Sequence, residues 1–303
     1  PVPALQTRAV RHGLLTTVVL VVVLVVLGVL GVRTVRSGAE LLSPLTARAA
    51  ATVTATTSSI ATVRFTDSRG RQASAQVPVR AAPVSPTTVA YDPADPSRAA
   101  LPESPALVAA DGATTHLAVL GLLLVVVLAL SVQRVVSRAR LRRLAPQVIT
   151  VRRVRQQNRL VSRSWIELVG VSPTVRFPVY FDPALVTLDS PARLPVHGSG
   201  ALRALEVQGR WVYPSGRVRT AEPKGRLVDN PSTSGADAVE RARTATPLWR
   251  SIVLDAVLVV PAPFVGLFWV YLDGGGISVW LGATAVVAVT ALWGASVLGT
   301  DPS

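Results

Sequence analysis

The sequence predicts an α+β membrane protein, with four transmembrane helices carrying two small antiparallel β-rich soluble domains. Three observations predict it. Four apolar runs are long enough to cross a bilayer, two intervening segments are rich in Thr, Val and turn-marking Gly, and charge is divided unequally between those segments. Half of the 303 residues are hydrophobic, more than a soluble domain of this size commonly carries once its charged share is counted. The net charge of +14 in such a chain points to Arg-rich cytoplasmic segments and to anionic lipid. Cysteine is absent, which excludes disulfides, thiolate metal sites and cysteine nucleophiles. The basic residues are Arg apart from Lys224, a bias that suggests a GC-rich genome.

Residues 1–13 form a short lead with Arg8 and Arg11, expected in the cytoplasm. Leu14–Val32 follows without a charge. As a helix it spans about 28 Å, close to the hydrocarbon core of about 30 Å, and in lipid its backbone must bond to itself. It is longer than the apolar region of a cleaved signal and is read as a retained anchor. Residues 33–112 form the first soluble segment, with eight Arg against six acids. Ala50–Phe65 reads as one or two strands, Asp67–Gly70 as a turn, Gln72–Val79 as the returning strand and Thr87–Tyr91 as a further strand. The strand stops at Asp92-Pro93-Ala94-Asp95-Pro96-Ser97, where proline cannot donate to a ladder and Asp favours turns.

This stretch resembles a domain of unknown function found in bacterial, mainly actinobacterial, membrane proteins. The residues carrying the resemblance are Val63–Phe65, Asp67, Gly70 and Val89–Ser97, within about 50 residues. Where that family has a Gly before its final strand, this chain has Ser85-Pro86-Thr87. The family has no established activity, so the resemblance implies a small β-fold and no reaction.

Residues 113–132 form the second span. A basic segment, 133–163, follows it. Arg134, Arg138 and Arg142 recur every four residues and share one helical face, with Arg143 beside them and the helix expected to end before Pro146. These four arginines are the candidate contacts for anionic lipid headgroups, since a juxtamembrane Arg gains about 1 kcal/mol at an anionic leaflet. No aromatic residue lies between Arg134 and Arg163, which argues against a base-stacking surface and hence against nucleic acid. Residues 164–226 read as a second β-rich domain, with strands at Ile166–Val171, Thr174–Phe181, Leu185–Leu188 and Leu202–Val207. Val179–Ala184 echoes Val89–Ala94, a hint of an internal repeat. Residues 227–251 are a linker with a short helix near Ala236–Arg243.

Residues 252–272 and 277–298 form the third and fourth spans, a hairpin closed by Asp273-Gly274-Gly275-Gly276. Pro261 and Pro263 should distort the third span. The basic block Gln133–Arg250 holds 21 Lys or Arg against eight acids. The positive-inside rule therefore places it in the cytoplasm, together with both termini, and leaves 33–112 outside.

Asp255 is the ionisable residue within a span and a functional candidate on that ground. A shallow pair with Arg250, one turn away, is the blander reading. Thr284, Ala288, Ala291 and Ala295 share a face of the fourth span and suit close helix packing, within the chain or against a partner's spans. Asp92 and Asp95 read as turn residues in place of a calcium loop. His12, His116 and His197 are widely separated in sequence. No Walker loop, nucleophile elbow, zinc-protease helix or dinucleotide fingerprint occurs, so neither a catalytic residue nor a cofactor is expected. The expected function is that of a non-catalytic accessory or scaffolding subunit of a cell-envelope complex, by analogy with lipid importers of the Mce type. A signal relay with an outer sensing domain and an enzyme acting on lipid or cell-wall precursors are the alternatives.

Overall fold

The computed structural model describes residues 7–158, 161–231, 233, 235–245 and 247–303. Residues 1–6 of the lead and Arg159 of the basic segment lie outside them. Four helices among these residues are long and apolar enough to cross a membrane by length and composition. Two of them outrun their charge-free cores. α1 covers Arg8–Leu42 and stops where Pro44 bars the residue before it from helical geometry. α2 covers Pro105–Arg143, with Pro105 at the first helical position, where a missing N–H costs nothing. Its last turn carries Arg140, Arg142 and Arg143, cations that suit the negative end of the helix dipole.

The third apolar stretch is broken as its prolines require. α4 (Leu248–Ala256) passes into a 3-10 turn at Val257–Val259 and resumes as α5 (Ala262–Asp273). α6 (Ile277–Leu298) returns antiparallel to it. The indole N–H of Trp280 on α6 donates to Pro263 O on α5 at 3.0 Å. A Cβ on Gly266 would overlap Thr284 Oγ1, so glycine there is what lets α5 and α6 approach. Between α2 and α4 lies the short α3 (Ala236–Ala245).

The chain forms two compact units, Leu24–Val125 and a second comprising the residues up to Val23 and Val126–Ser303. The first holds a five-stranded antiparallel sheet ordered β3-β2-β1-β4-β5. Its strands are β1 Ala47–Thr56, β2 Ile60–Thr66, β3 Gln72–Pro78, β4 Thr87–Tyr91 and β5 Ala99–Ala100. Alternate residues of β2 and β3 are buried, the pattern of a sheet with one dry face. The sheet curls until Arg80 N, just past β3, donates to Glu103 O, just past β5, at 2.9 Å. Phe65 and Tyr91, ring centroids 4.8 Å apart, pack with Val63, Val77, Val89 and Leu101 in its core.

The second unit holds a seven-stranded antiparallel sheet ordered β11-β10-β9-β6-β7-β8, with β12 also paired to β6. The strands are β6 Pro146–Asn158, β7 Val161–Leu168, β8 Arg176–Val179, β9 Ala192–His197, β10 Ala204–Val207, β11 Arg210–Val212 and β12 Arg226–Asp229. Val151, Ile166, Phe177, Val179, Leu185 and Leu205 lie in its core. Two sequence expectations need correction. The β-domain begins at Pro146 instead of Ser164, because much of the basic segment 133–163 is β6, the long strand that pairs β7 on one side and β9 and β12 on the other. Leu185–Leu188 is not a strand. Asp182 accepts from Ala184 N and caps a 3-10 turn at Pro183–Leu185.

Candidate functional site

The described polar chemistry concentrates where the helix ends of the second unit meet its sheet. Three arrangements are built there. The first is an arginine–aromatic stack. The i, i+4, i+8 spacing on α2 puts Arg134, Arg138 and Arg142 on one face. Arg134 lies 5.4 Å from the Trp293 ring of α6, and Arg138 lies 5.1 and 5.3 Å from Tyr180 and Tyr213. Arg142 covers Trp211 and Tyr213 at 5.5 and 5.6 Å, and its Nε donates to Tyr213 Oη at 2.5 Å. Burial pushes the Tyr213 phenol above its ordinary value, against the opposing pull of Arg142 and Arg138. Three of the four expected headgroup arginines thus stack on aromatic rings of the same unit, whereas Arg143 and Arg140 are exposed.

The second arrangement is a buried clamp. Arg153 of β6 is 3% exposed and Asp301 is fully buried. Arg153 Nη2 donates to Asp301 Oδ2 at 2.7 Å, and Ser164 Oγ donates to the same oxygen at 2.6 Å. Arg153 also donates to Asn230 Oδ1 at 3.1 Å and to Ser303 Oγ at 2.9 Å. Asp301 N donates to Ser162 O at 2.8 Å, and Thr300 forms an antiparallel bridge with Arg163. Burial alone would raise the Asp301 carboxyl, but Arg153 and the hydrogen bonds from Ser164 and Ser303 outweigh it and hold it below the ordinary range. The chain reaches this position through Gly299, whose φ of +73° and contact with Tyr180 leave no room for a side chain. A second buried carboxylate, Glu167, is held by Arg152 and Arg176. Burial raises it, and the hydrogen bonds from the two arginines bring it below its ordinary value.

The third arrangement contains Asp255. Its partner is not Arg250, which lies over the Trp249 ring. Asp255 Oδ1 accepts from Thr300 Oγ1 at 2.5 Å, and Oδ2 lies 3.3 Å from His12 Nε2. Asp255 is 1% exposed, which is deeper than a shallow interfacial pair would be. Alongside, Thr16 Oγ1 and Ser296 Oγ are 2.8 Å apart, and Arg8 Nη2 donates to Ser251 Oγ at 2.8 Å.

The small-residue face of α6 divides. Thr284 meets Gly266 of α5 and Ala295 is buried, while Ala288 and Ala291 are half-buried. Asp92 and Asp95 serve turns, with Asp92 Oδ1 accepting from Ala94 N at 2.8 Å and Asp95 Oδ1 from Ser97 Oγ at 2.6 Å. Asp255 was visible in the sequence as a charge in an apolar run. His12, Thr300, Asp301 and Arg153 were not, because each depends on a partner far along the chain. Comparisons with protein-family models, with curated proteins and with solved structures find no match to this chain.

Proposed function

We propose that the protein is a non-catalytic, multi-pass membrane subunit that presents its arginine-rich β-domain as a docking platform for a larger cell-envelope complex. The mounting of that domain supports this reading. Arg138 and Arg142 stack on Tyr180, Tyr213 and Trp211, and Asp301 beyond α6 is clamped by Arg153. Two helix ends are therefore fastened to one sheet, which favours a fixed platform over a tethered, mobile domain. In this reading both termini and the β-domain face the cytoplasm, the segment 33–112 lies outside, and exposed Arg140 and Arg143 face anionic headgroups. Lipid transport of the Mce type is the assembly class proposed by analogy.

Gentle detergent extraction and affinity purification, followed by mass spectrometry, tests the proposal. A membrane-protein partner should co-purify in fixed ratio and be lost with the Arg138→Ala/Arg142→Ala variant. Recovery of monomer alone would contradict it. A relay reading is favoured by one observation: Asp255 within α4 is joined through Thr300 and Asp301 to Arg153 of the sheet. Under that reading, deleting 33–112 alters gene expression while complex abundance stays constant.

A further inference from the structure

The helical bundle of the second unit holds a polar site that a platform does not require. His12 on α1 and Asp255 on α4 have side chains only 10% and 1% exposed. His12 Nε2 and Asp255 Oδ2 lie 3.3 Å apart, yet they are not aligned for a hydrogen bond, and neither atom has another hydrogen-bond partner. Both residues border a cavity of about 90 Å³, which Thr16, Leu15, Ile252 and Leu292 also line. A buried acid and base facing each other in a span are the parts from which proton sites are made.

What such a site controls follows from the other oxygen of Asp255. Thr300 donates to Oδ1, and a hydrogen bond to an ionised carboxylate is roughly twice as strong as one between neutral groups. A proton on Asp255 removes the charge to which Thr300 donates. A proton on His12 pairs with Asp255 through Oδ2 and competes with Thr300 for the carboxylate, and a proton passed to the carboxylate itself turns the bond from Thr300 into an ordinary one. Thr300 belongs to the Gly299–Ser303 segment that lies against β7. The other charged groups around the site are engaged elsewhere. Arg8 of α1 donates to Ser251 and Pro247 O, and Arg250 of α4 covers Trp249. Arg134 of α2 covers Trp293, Arg163 of β7 donates to Ser215, and Asp301 is held by Arg153. α6 carries no charged side chain. Arg11 of α1 is exposed.

We propose that His12 and Asp255 form a proton-binding site, and that proton uptake there loosens the Gly299–Ser303 segment from β7. The inference goes beyond the platform reading and does not rest on it. Because the chain has no cysteine, spin labels can be placed uniquely at Pro302→Cys and Ala201→Cys in the full-length protein in lipid nanodiscs. Pulsed dipolar spectroscopy should give one narrow distance at about pH 8. At about pH 5 a broad second population should grow on the order of fivefold, as expected when a charge-assisted hydrogen bond becomes an ordinary one. Asp301, held below the ordinary carboxylate range, stays ionised throughout. Asp255→Asn should give the same distribution at both pH values. His12→Gln, which keeps the carboxylate, should shrink the response and serves if Asp255→Asn does not fold. An unchanged distribution in the labelled parent, or an undiminished response in either variant, overturns the proposal.

Discussion

The two β-modules share a local signature and are stabilised by different means. In both, an aromatic residue at or just past the end of a strand, Tyr91 or Phe181, is followed by Asp-Pro-Ala, and the Asp accepts from the N–H two residues on, at 2.8 Å for Asp92 and 2.9 Å for Asp182. Beyond the turn they diverge. The first sheet encloses an apolar core and keeps its paired arginines in water: Arg98 and Asp95 are 70% and 50% exposed, and Arg71, 60% exposed, reaches the buried Asp67 of a turn. The second sheet buries Arg153, Asp301 and Glu167 within 3% exposure. The strand orders also differ, so the likeness is confined to the turn and does not extend to a repeated module. The contrast teaches that the second module uses buried charge to attach itself to particular helix ends. The first closes on itself by ordinary burial.

Breaking the clamp should have the largest effect on this contrast. Arg153→Ala leaves Asp301 as an unpaired buried carboxylate and should cost about 3–5 kcal/mol, read as a fall in the thermal midpoint of the purified protein. Replacing both partners, Arg153→Met with Asp301→Leu, should cost less than either single change, because no uncompensated charge remains. The clamp also sets an acid limit. The folded Asp301 carboxyl lies below its ordinary value, so its contribution is complete above about pH 4 and is lost as pH falls through the depressed value. An acid titration of stability should show this loss in the parent and not in the Arg153→Met/Asp301→Leu protein.

A smaller effect is expected from the stack. Arg138→Ala should cost about 1–2 kcal/mol, as a partly desolvated guanidinium loses two aromatic faces. Smallest is the exposed Arg98–Asp95 pair of the first module. Arg98→Ala should change stability by less than about 1 kcal/mol, since both groups are in water. A large effect at Arg98 or a negligible one at Arg153 would dissolve the comparison. The proposed topology sharpens it from another side. Single cysteines at Ser68 and Ser172 should react with a membrane-impermeant maleimide in intact cells at Ser68 only.

Much of the frame was legible from composition and turn chemistry. The four apolar runs, β4, the hairpin Asp273–Gly276 and the break at Pro261 and Pro263 all follow from local residue preferences. β6 was missed because Arg152, Arg153 and Arg155 hide its alternation. Arg153 faces inward only because Asp301, 148 residues away, neutralises it. The same long reach concealed the partner of Asp255. Local reasoning offered Arg250, whereas the fold brings His12 and Thr300. The basic helix face at Arg134, Arg138 and Arg142 was visible, but its aromatic counterparts lie on α6 and the distant sheet, at Trp293, Tyr180, Trp211 and Tyr213.

Arginines near the end of α2 fasten that helix to the β-domain through its aromatic rings. A double-mutant cycle on Arg142 and Tyr213 tests it most directly, using Arg142→Ala, Tyr213→Phe and the pair, with stability read by denaturant or heat. If the contact fastens the two elements, the coupling energy is about 1 kcal/mol or more. Additivity within about 0.3–0.5 kcal/mol would show that Arg142 and Tyr213 act independently and would contradict the account.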